Sequence, residues 1–163
     1  MTVISDASPI VNLARIESLH LLPDLYDTVV LPEAVWQEVV VEGEGQPGAH
    51  TVQTAAWAEK QMVINRDLVR ALCQDLDAGE AEAIALAVET DEAVLLMDEQ
   101  EGRETASHFE IPHLGLIGVL IEAKRNGHVE ALQPFLTSLK QRAGFWISEQ
   151  LYERVLRDEG EHP

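Results

Sequence analysis

The sequence predicts an α/β protein, a three-layer α/β/α sandwich around a central parallel sheet of four or five strands. Three observations carry this expectation. Short aliphatic, often β-branched runs alternate with longer segments of helical periodicity, and strands separated by helices pair in parallel through right-handed crossovers. The run Ala93-Val94-Leu95-Leu96-Met97 has no polar alternation, as expected of a strand covered on both faces. Two of the clearest strand candidates end in an aspartate, Asp6 and Asp98, and parallel sheets carry their sites at the carboxyl ends of strands.

Taken in order, Thr2-Val3-Ile4-Ser5 is the first strand. Ser8 and Pro9 read as the N-cap and first position of the helix that follows. Residues 28–31 form the second strand, and Pro32 opens a helix carrying Val35, Trp36 and Val39. The stretch 42–48 holds three glycines and a proline, which marks a surface loop between helices. Met62-Val63-Ile64 is a weaker third strand, and 76–89 is a strong alanine-rich helix. After the run at 93–97 come helices at about 99–109, 115–126, 129–141 and 148–158, with a short strand near Pro112-His113-Leu114. With no internal repeat or linker, 1–163 reads as one domain, whose C-terminal helices at about 129–158 complete the core or a dimer interface.

Composition narrows the function. Hydrophobic residues at 46% and charged residues at 25% exclude a disordered chain. Eleven Lys+Arg against 29 Asp+Glu give a net charge of −18, the opposite of the basic footprint of a passive nucleic-acid binder. The lone Cys73 suits a reducing compartment. Neither a signal-peptide pattern nor an apolar run of about 20 residues is present, so a soluble, cytoplasmic protein with no membrane association is expected.

The acids themselves suggest a site. Asp6 and Asp98 end strands, and Glu38 lies beside the apolar stripe of Val35 and Val39. Glu80, Ala83, Ile84 and Ala87 share one face of the alanine-rich helix, which turns Glu80 inward, whereas Glu82 and Glu89 are expected on a solvated face. Four carboxylates converging at one sheet edge repel one another and call for a hard divalent cation, Mg²⁺ or Mn²⁺. The six histidines show no zinc-ligand spacing, and no Walker, dinucleotide or nucleophile-elbow motif occurs. Carboxylate-held cations point to hydrolysis of phosphate esters. A phosphoacceptor domain would share the strand-end aspartate but needs a lysine after a later strand, and Lys124 lies inside a helix.

The segments ISDASPIVNLARI (4–16), LPEAVWQEV (31–39), LDAGEAEAIALA (76–87) and LLMDEQEGRETA (95–106), extended by 115–127 and 144–156, resemble the PIN domain, and within it the DUF3368 branch. The resemblance covers nearly the whole chain. It implies a metal-dependent endoribonuclease, the toxin of a toxin–antitoxin pair, with RNA as substrate, a cognate antitoxin protein as partner and a homodimeric state. Its catalytic and metal-binding acids fall on Asp6, Glu38, Glu80 and Asp98. Ser8 matches the family's hydroxyl residue after the first acid, and Asn12, Glu99 and Arg103 are possible supporting residues. The family's Ser or Thr before the fourth acid and its acid after it are replaced by Leu96 and Gln100. That departure keeps open a second reading, a binding or regulatory module with little or no catalysis. Phosphate-gripping candidates are Lys124, Arg125 and Arg142; Trp36, Trp57, Phe109, Phe145 and Trp146 are expected as core or interface anchors. The apolar stripe of Leu151, Val155 and Leu156 is shared between core closure and pairing with a second copy.

Overall fold

The computed structural model describes residues 1–162. Five strands form one parallel sheet: β1 (Thr2–Ser5), β2 (Val29–Pro32), β3 (Ala58–Gln61), β4 (Ala93–Leu96) and β5 (His113–Leu114), in the order β3-β2-β1-β4-β5. The helices are α1 (Ala7–Arg15), α2 (Leu21–Leu25), α3 (Glu33–Trp36), α4 (Ala49–Thr54), α5 (Arg66–Leu72), α6 (Ala78–Val88), α7 (Gln100–His108), α8 (Leu116–Arg125), α9 (Gln133–Arg142) and α10 (Glu149–Asp158). A π-helical turn, Gln37–Val41, continues α3. None of these helices is long and apolar enough to cross a membrane.

Strand alternation divides the interior in two. Val3, Val29, Leu31 and Leu96 face a core built with α1, α8, α9 and α10. Ile4, Val30, Leu95 and Met97 face the opposite core, with α6 and α7 above them. Ala83, Ala85 and Ala87 keep α6 slim enough to lie close to the sheet, and the helix is buried nearly all round by β4, α3, α5 and α7. The C-terminal helices belong to the first core: Leu136, Leu139, Val155 and Leu156 are buried there, and Leu151 packs against it. The apolar stripe of α10 is therefore spent inside the chain, while Trp146 stands 83% exposed.

Three sequence expectations require correction. The third strand is Ala58–Gln61 rather than 62–64: Met62 and Ile64 are exposed, and the Ile64 and Asn65 N–H groups are taken by the Glu89 carboxylate at 2.8 and 3.2 Å. As an edge strand, β3 needs one inward side chain in two and tolerates the polar run Glu59-Lys60-Gln61, which hides it from hydropathy. The N-cap of α1 is Asp6, not Ser8. Pro9 then occupies the third helical position, where an N–H has no intrahelical partner in any case. Lastly, Glu82 is buried rather than solvated. Its carboxylate accepts the Ala34 N–H at 2.9 Å and pairs with Arg66 at 3.1 Å, so it caps α3.

The topology determines where chemistry can occur. The chain runs outward from β1 to β2 and β3, then returns to place β4 on the other side of β1. The strand order reverses between β1 and β4, and the crevice beyond their carboxyl ends is the switch point at which open α/β sheets bind ligands. The Asp6 N–H donates to the Leu96 carbonyl at 2.9 Å, tying the two strand ends together there.

Candidate functional site

Four helices begin at this edge: α1 behind Asp6, α6 behind Asp77, α7 behind Glu99 and α8 behind Gly115. Their N-terminal N–H groups and dipoles favour negative charge, which offsets part of the cost of gathering acids. Asp6 is almost fully buried. Burial pushes its carboxyl up from an ordinary 3.8 to about 7; the Ala7 N–H lowers it, and repulsion from Asp77, Glu38 and Glu99 raises it further.

Glu80 is held by a reciprocal capping box. Its N–H donates to Asp77 Oδ1 at 2.8 Å, and the Asp77 N–H donates to Glu80 Oε1 at 3.3 Å. Burial again leads in lifting its carboxyl to about 7, with Asp77 and Asp6 adding repulsion. Two glycines leave room for these acids. A methyl group on Gly79 would sit 3.3 Å from Asp6 Oδ1 and 3.5 Å from Asp77 Oδ1. On Gly102 it would lie 3.1 Å from Glu80 Oε2 and collide with the Met97 sulfur.

Glu38 projects from the π-helical turn, exposed, its carboxyl raised first by partial burial and then by Asp77 and Glu42. Asp98 is oriented differently from the other acids. Its Oδ1 accepts the Leu116 N–H at the start of α8 at 2.8 Å. Burial raises its carboxyl, the Leu116 N–H and the Arg103 guanidinium lower it, and Glu99 raises it. Asp6, Glu38, Asp77, Glu80 and Glu99 thus form one mutually repelling patch, with Glu99 also facing Asp98. Asn12 is half-buried on α1 and Arg103 is exposed on α7.

The donor chemistry fits a hard divalent cation, since only oxygen ligands gather here. Two buried oxygens at this edge, Ser8 Oγ and Asp98 Oδ2, have no hydrogen-bond partner among the described residues, as expected of groups that complete their bonding with something bound. The acids are spread rather than clustered: among the described residues no three acidic, histidine or cysteine side chains stand close enough to hold one ion. Mg²⁺ characteristically takes one or two protein carboxylates and keeps several of its waters, so spread acids are compatible with it.

Asp77 was not among the candidates from sequence, yet it touches Glu80 and bears on Asp6 and Glu38. The pattern Asp77-x-x-Glu80 ahead of an apolar helix is a capping-box signature and was the available signal. The phosphate-gripping candidates are engaged elsewhere: Lys124 pairs with Glu161 at 2.7 Å, Arg125 with Glu159 at 2.6 Å and Arg142 with Glu17 at 3.3 Å.

A parallel sheet in the order 3-2-1-4-5, with helices on both faces and acids at the switch point, defines an α/β protein with an acidic, oxygen-donor site. The chain belongs to the DUF3368 family of PIN domains, whose family model matches residues 2–161. PIN domains are generally nucleases and typically bind divalent metals. No curated protein matches the chain.

Proposed function

We propose that this chain is a Mg²⁺- or Mn²⁺-dependent endoribonuclease acting at the carboxyl edge of β1 and β4. The observation that carries the reading is the gathering of acids at the switch point between β1 and β4, where burial and mutual repulsion raise the Asp6 and Glu80 carboxyls to about 7. Such a patch is costly to the fold and is relieved by a cation. One or two of Asp6, Glu80 and Asp98 would hold the ion directly, with Glu38, Asp77 and Glu99 around it reaching it through its waters. When bound it supplies Lewis-acid polarisation of a phosphodiester oxygen. The chain's own part is to position the ion from several elements and to place helix N-termini against the anionic substrate.

Membership in a PIN family supports nuclease activity, and extension to a toxin restrained by a cognate antitoxin rests on that family context alone. A net charge of −18 makes a basic antitoxin the complementary partner. Pairing as a homodimer belongs to the same reading and should strengthen with salt, because two chains of −18 repel one another. The spread of the acids, together with Leu96 and Gln100, favours the alternative of a binding module with little catalysis.

The deciding experiment is cleavage of single-stranded RNA by purified protein in Mg²⁺, Mn²⁺ or EDTA, with Asp6→Asn and Asp98→Asn as controls. Metal-dependent cleavage that falls at least about 100-fold in both variants supports the hydrolase. Cleavage that persists in EDTA or in both variants, or RNA binding without cleavage, rejects it.

A further inference from the structure

At Asp98 lies an open cleft of about 410 Å³ lined by Asp98, Gln100, Arg103, Glu104, Ser107 and His113. Its volume is within the range of small-ligand sites. Its walls come from α7 and from His113 of β5, and Asp98 is common to it and to the proposed catalytic edge.

Two of its groups are available to a ligand. Arg103 is exposed and, among the described residues, forms no direct ion pair, as is also true of Arg15, Lys60, Lys140, Arg154 and Arg157; its guanidinium bears on Asp98 without bonding to it. Gly115 lies beside this guanidinium and gives Asp98 room: a methyl group there would sit 3.1 Å from Asp98 Oδ1 and in ordinary contact, 3.5 Å, with Arg103 Nη1. His113 is oriented by its neighbours. Leu114 packs into the first core, so the strand alternation turns His113 to the other side of the sheet, where β5 meets α7. Its Nδ1 lies 3.2 Å from the Ile111 carbonyl oxygen, a contact that only an N–H can satisfy. In the neutral ring that leaves Nε2 as a hydrogen-bond acceptor.

The remaining lining explains why this is not simply an anion site. Asp98 and Glu104 place carboxylates beside the single guanidinium, and Gln100 donates to Glu104 at 3.0 Å. One cation among acceptors suits a ligand with one anionic group and several hydroxyl donors. A ribonucleotide unit has that composition: its phosphate pairs with arginine, and its 2′-hydroxyl donates to a carboxylate or an imidazole nitrogen.

We propose that this cavity is a ribonucleotide subsite next to the catalytic edge, in which Arg103 holds one phosphate of the RNA strand and His113 Nε2 accepts its 2′-hydroxyl. The proposal rests on the endoribonuclease reading for its substrate class and adds the residue that distinguishes RNA from DNA. His113 touches substrate without taking part in bond cleavage, so its removal should change selection more than chemistry.

The test measures binding apart from cleavage. Fluorescence anisotropy of a labelled 12-mer of oligouridine and of its 2′-deoxy counterpart is recorded in Mg²⁺, using the full chain carrying Asp6→Asn to suppress hydrolysis. The ribose form should bind about tenfold more tightly. His113→Phe, which keeps the bulk and loses the acceptor, should weaken the ribose form about tenfold and leave the deoxy form unchanged. His113→Gln, which restores an acceptor, should recover part of the preference. Arg103→Ala should weaken both oligomers alike and reduce the slope of log affinity against log salt by about 0.7. An undiminished ribose preference in His113→Phe, equal loss of both oligomers in that variant, unchanged binding in Arg103→Ala, or no binding of either oligomer overturns the subsite. Cleavage assays on the chain without Asp6→Asn separate the two ideas. No cleavage with ribose-selective, His113-dependent binding leaves the subsite standing and rejects the hydrolase; metal-dependent cleavage with selection indifferent to His113 does the reverse.

Discussion

Replacing Asp6 with asparagine should stabilise the protein at neutral and alkaline pH and flatten its pH–stability profile. In the unfolded chain this aspartate titrates near 3.8, whereas in the fold burial and the neighbouring acids hold it at about 7. Between those values the unfolded chain has released the proton and the native state retains it, so the native state binds more protons. Stability therefore falls as pH rises from about 4 to about 7 and levels off above. The shift of roughly 3 pH units, at about 1.4 kcal/mol each, sets an upper bound of about 4 kcal/mol. Relaxation of the surrounding dipoles and water around the ionised carboxylate reduces the working figure to about 2 kcal/mol. Asparagine keeps the size and an oxygen for the Ala7 N–H but carries no charge. At pH 8, in EDTA, Asp6→Asn should melt about 6 °C higher than the natural chain, taking about 3 °C for each kcal/mol at this chain length. At pH 5 the gap should shrink to less than half. Thermal unfolding followed by circular dichroism at pH 5, 6, 7 and 8 gives the comparison. If the two proteins lose stability in parallel over that range, or the variant is the less stable at pH 8, the argument from a buried, repelled carboxylate is wrong.

Three other outcomes follow from the same structure. Millimolar Mg²⁺ or Mn²⁺ should raise the melting temperature and release protons near pH 7, because Asp6 and Glu80 must ionise to accept the ion; calorimetry in buffers of different ionisation enthalpy reads the protons, and Asp98→Asn should weaken the response. Gly102→Ala drives a methyl group against the buried Met97 sulfur and towards Glu80 Oε2, and should cost about 1–3 kcal/mol in urea unfolding. Glu161 accepts the Leu132 N–H and the Lys124 ammonium, each at 2.7 Å; burial raises its carboxyl, but these donors and the Gln133 N–H outweigh burial and lower it. Glu161→Gln should therefore destabilise by about 1–2 kcal/mol, and an unchanged denaturation midpoint would show that this C-terminal clamp adds nothing.

Much of this protein was legible from the chain alone, for local reasons. A strand covered on both faces must be apolar throughout, which exposes 93–97; an alanine-rich helix must lie close to its sheet, which exposes 76–89. Strand-end aspartates mark the carboxyl edge of a parallel sheet, so Asp6 and Asp98 stand out in the sequence alone. What the chain concealed depends on partners distant in sequence. β3 is polar because an edge strand needs little burial, so its pairing with β2 supplies what its composition does not. Glu82 looked solvated because helical periodicity locates one inward face, whereas α6 is enclosed on several sides and Glu82 finds the Ala34 N–H and Arg66 there. Lys124, Arg125 and Arg142 looked free because their acids, Glu161, Glu159 and Glu17, lie 34 or more residues away along the chain. The sequence determined the layers and which acids end the strands. Only the tertiary structure decided that Asp77 joins the acid patch, that Asp98 turns to the Leu116 N–H, and that Arg103 and His113 share a cavity, because each depends on how separate helices meet at the sheet edge.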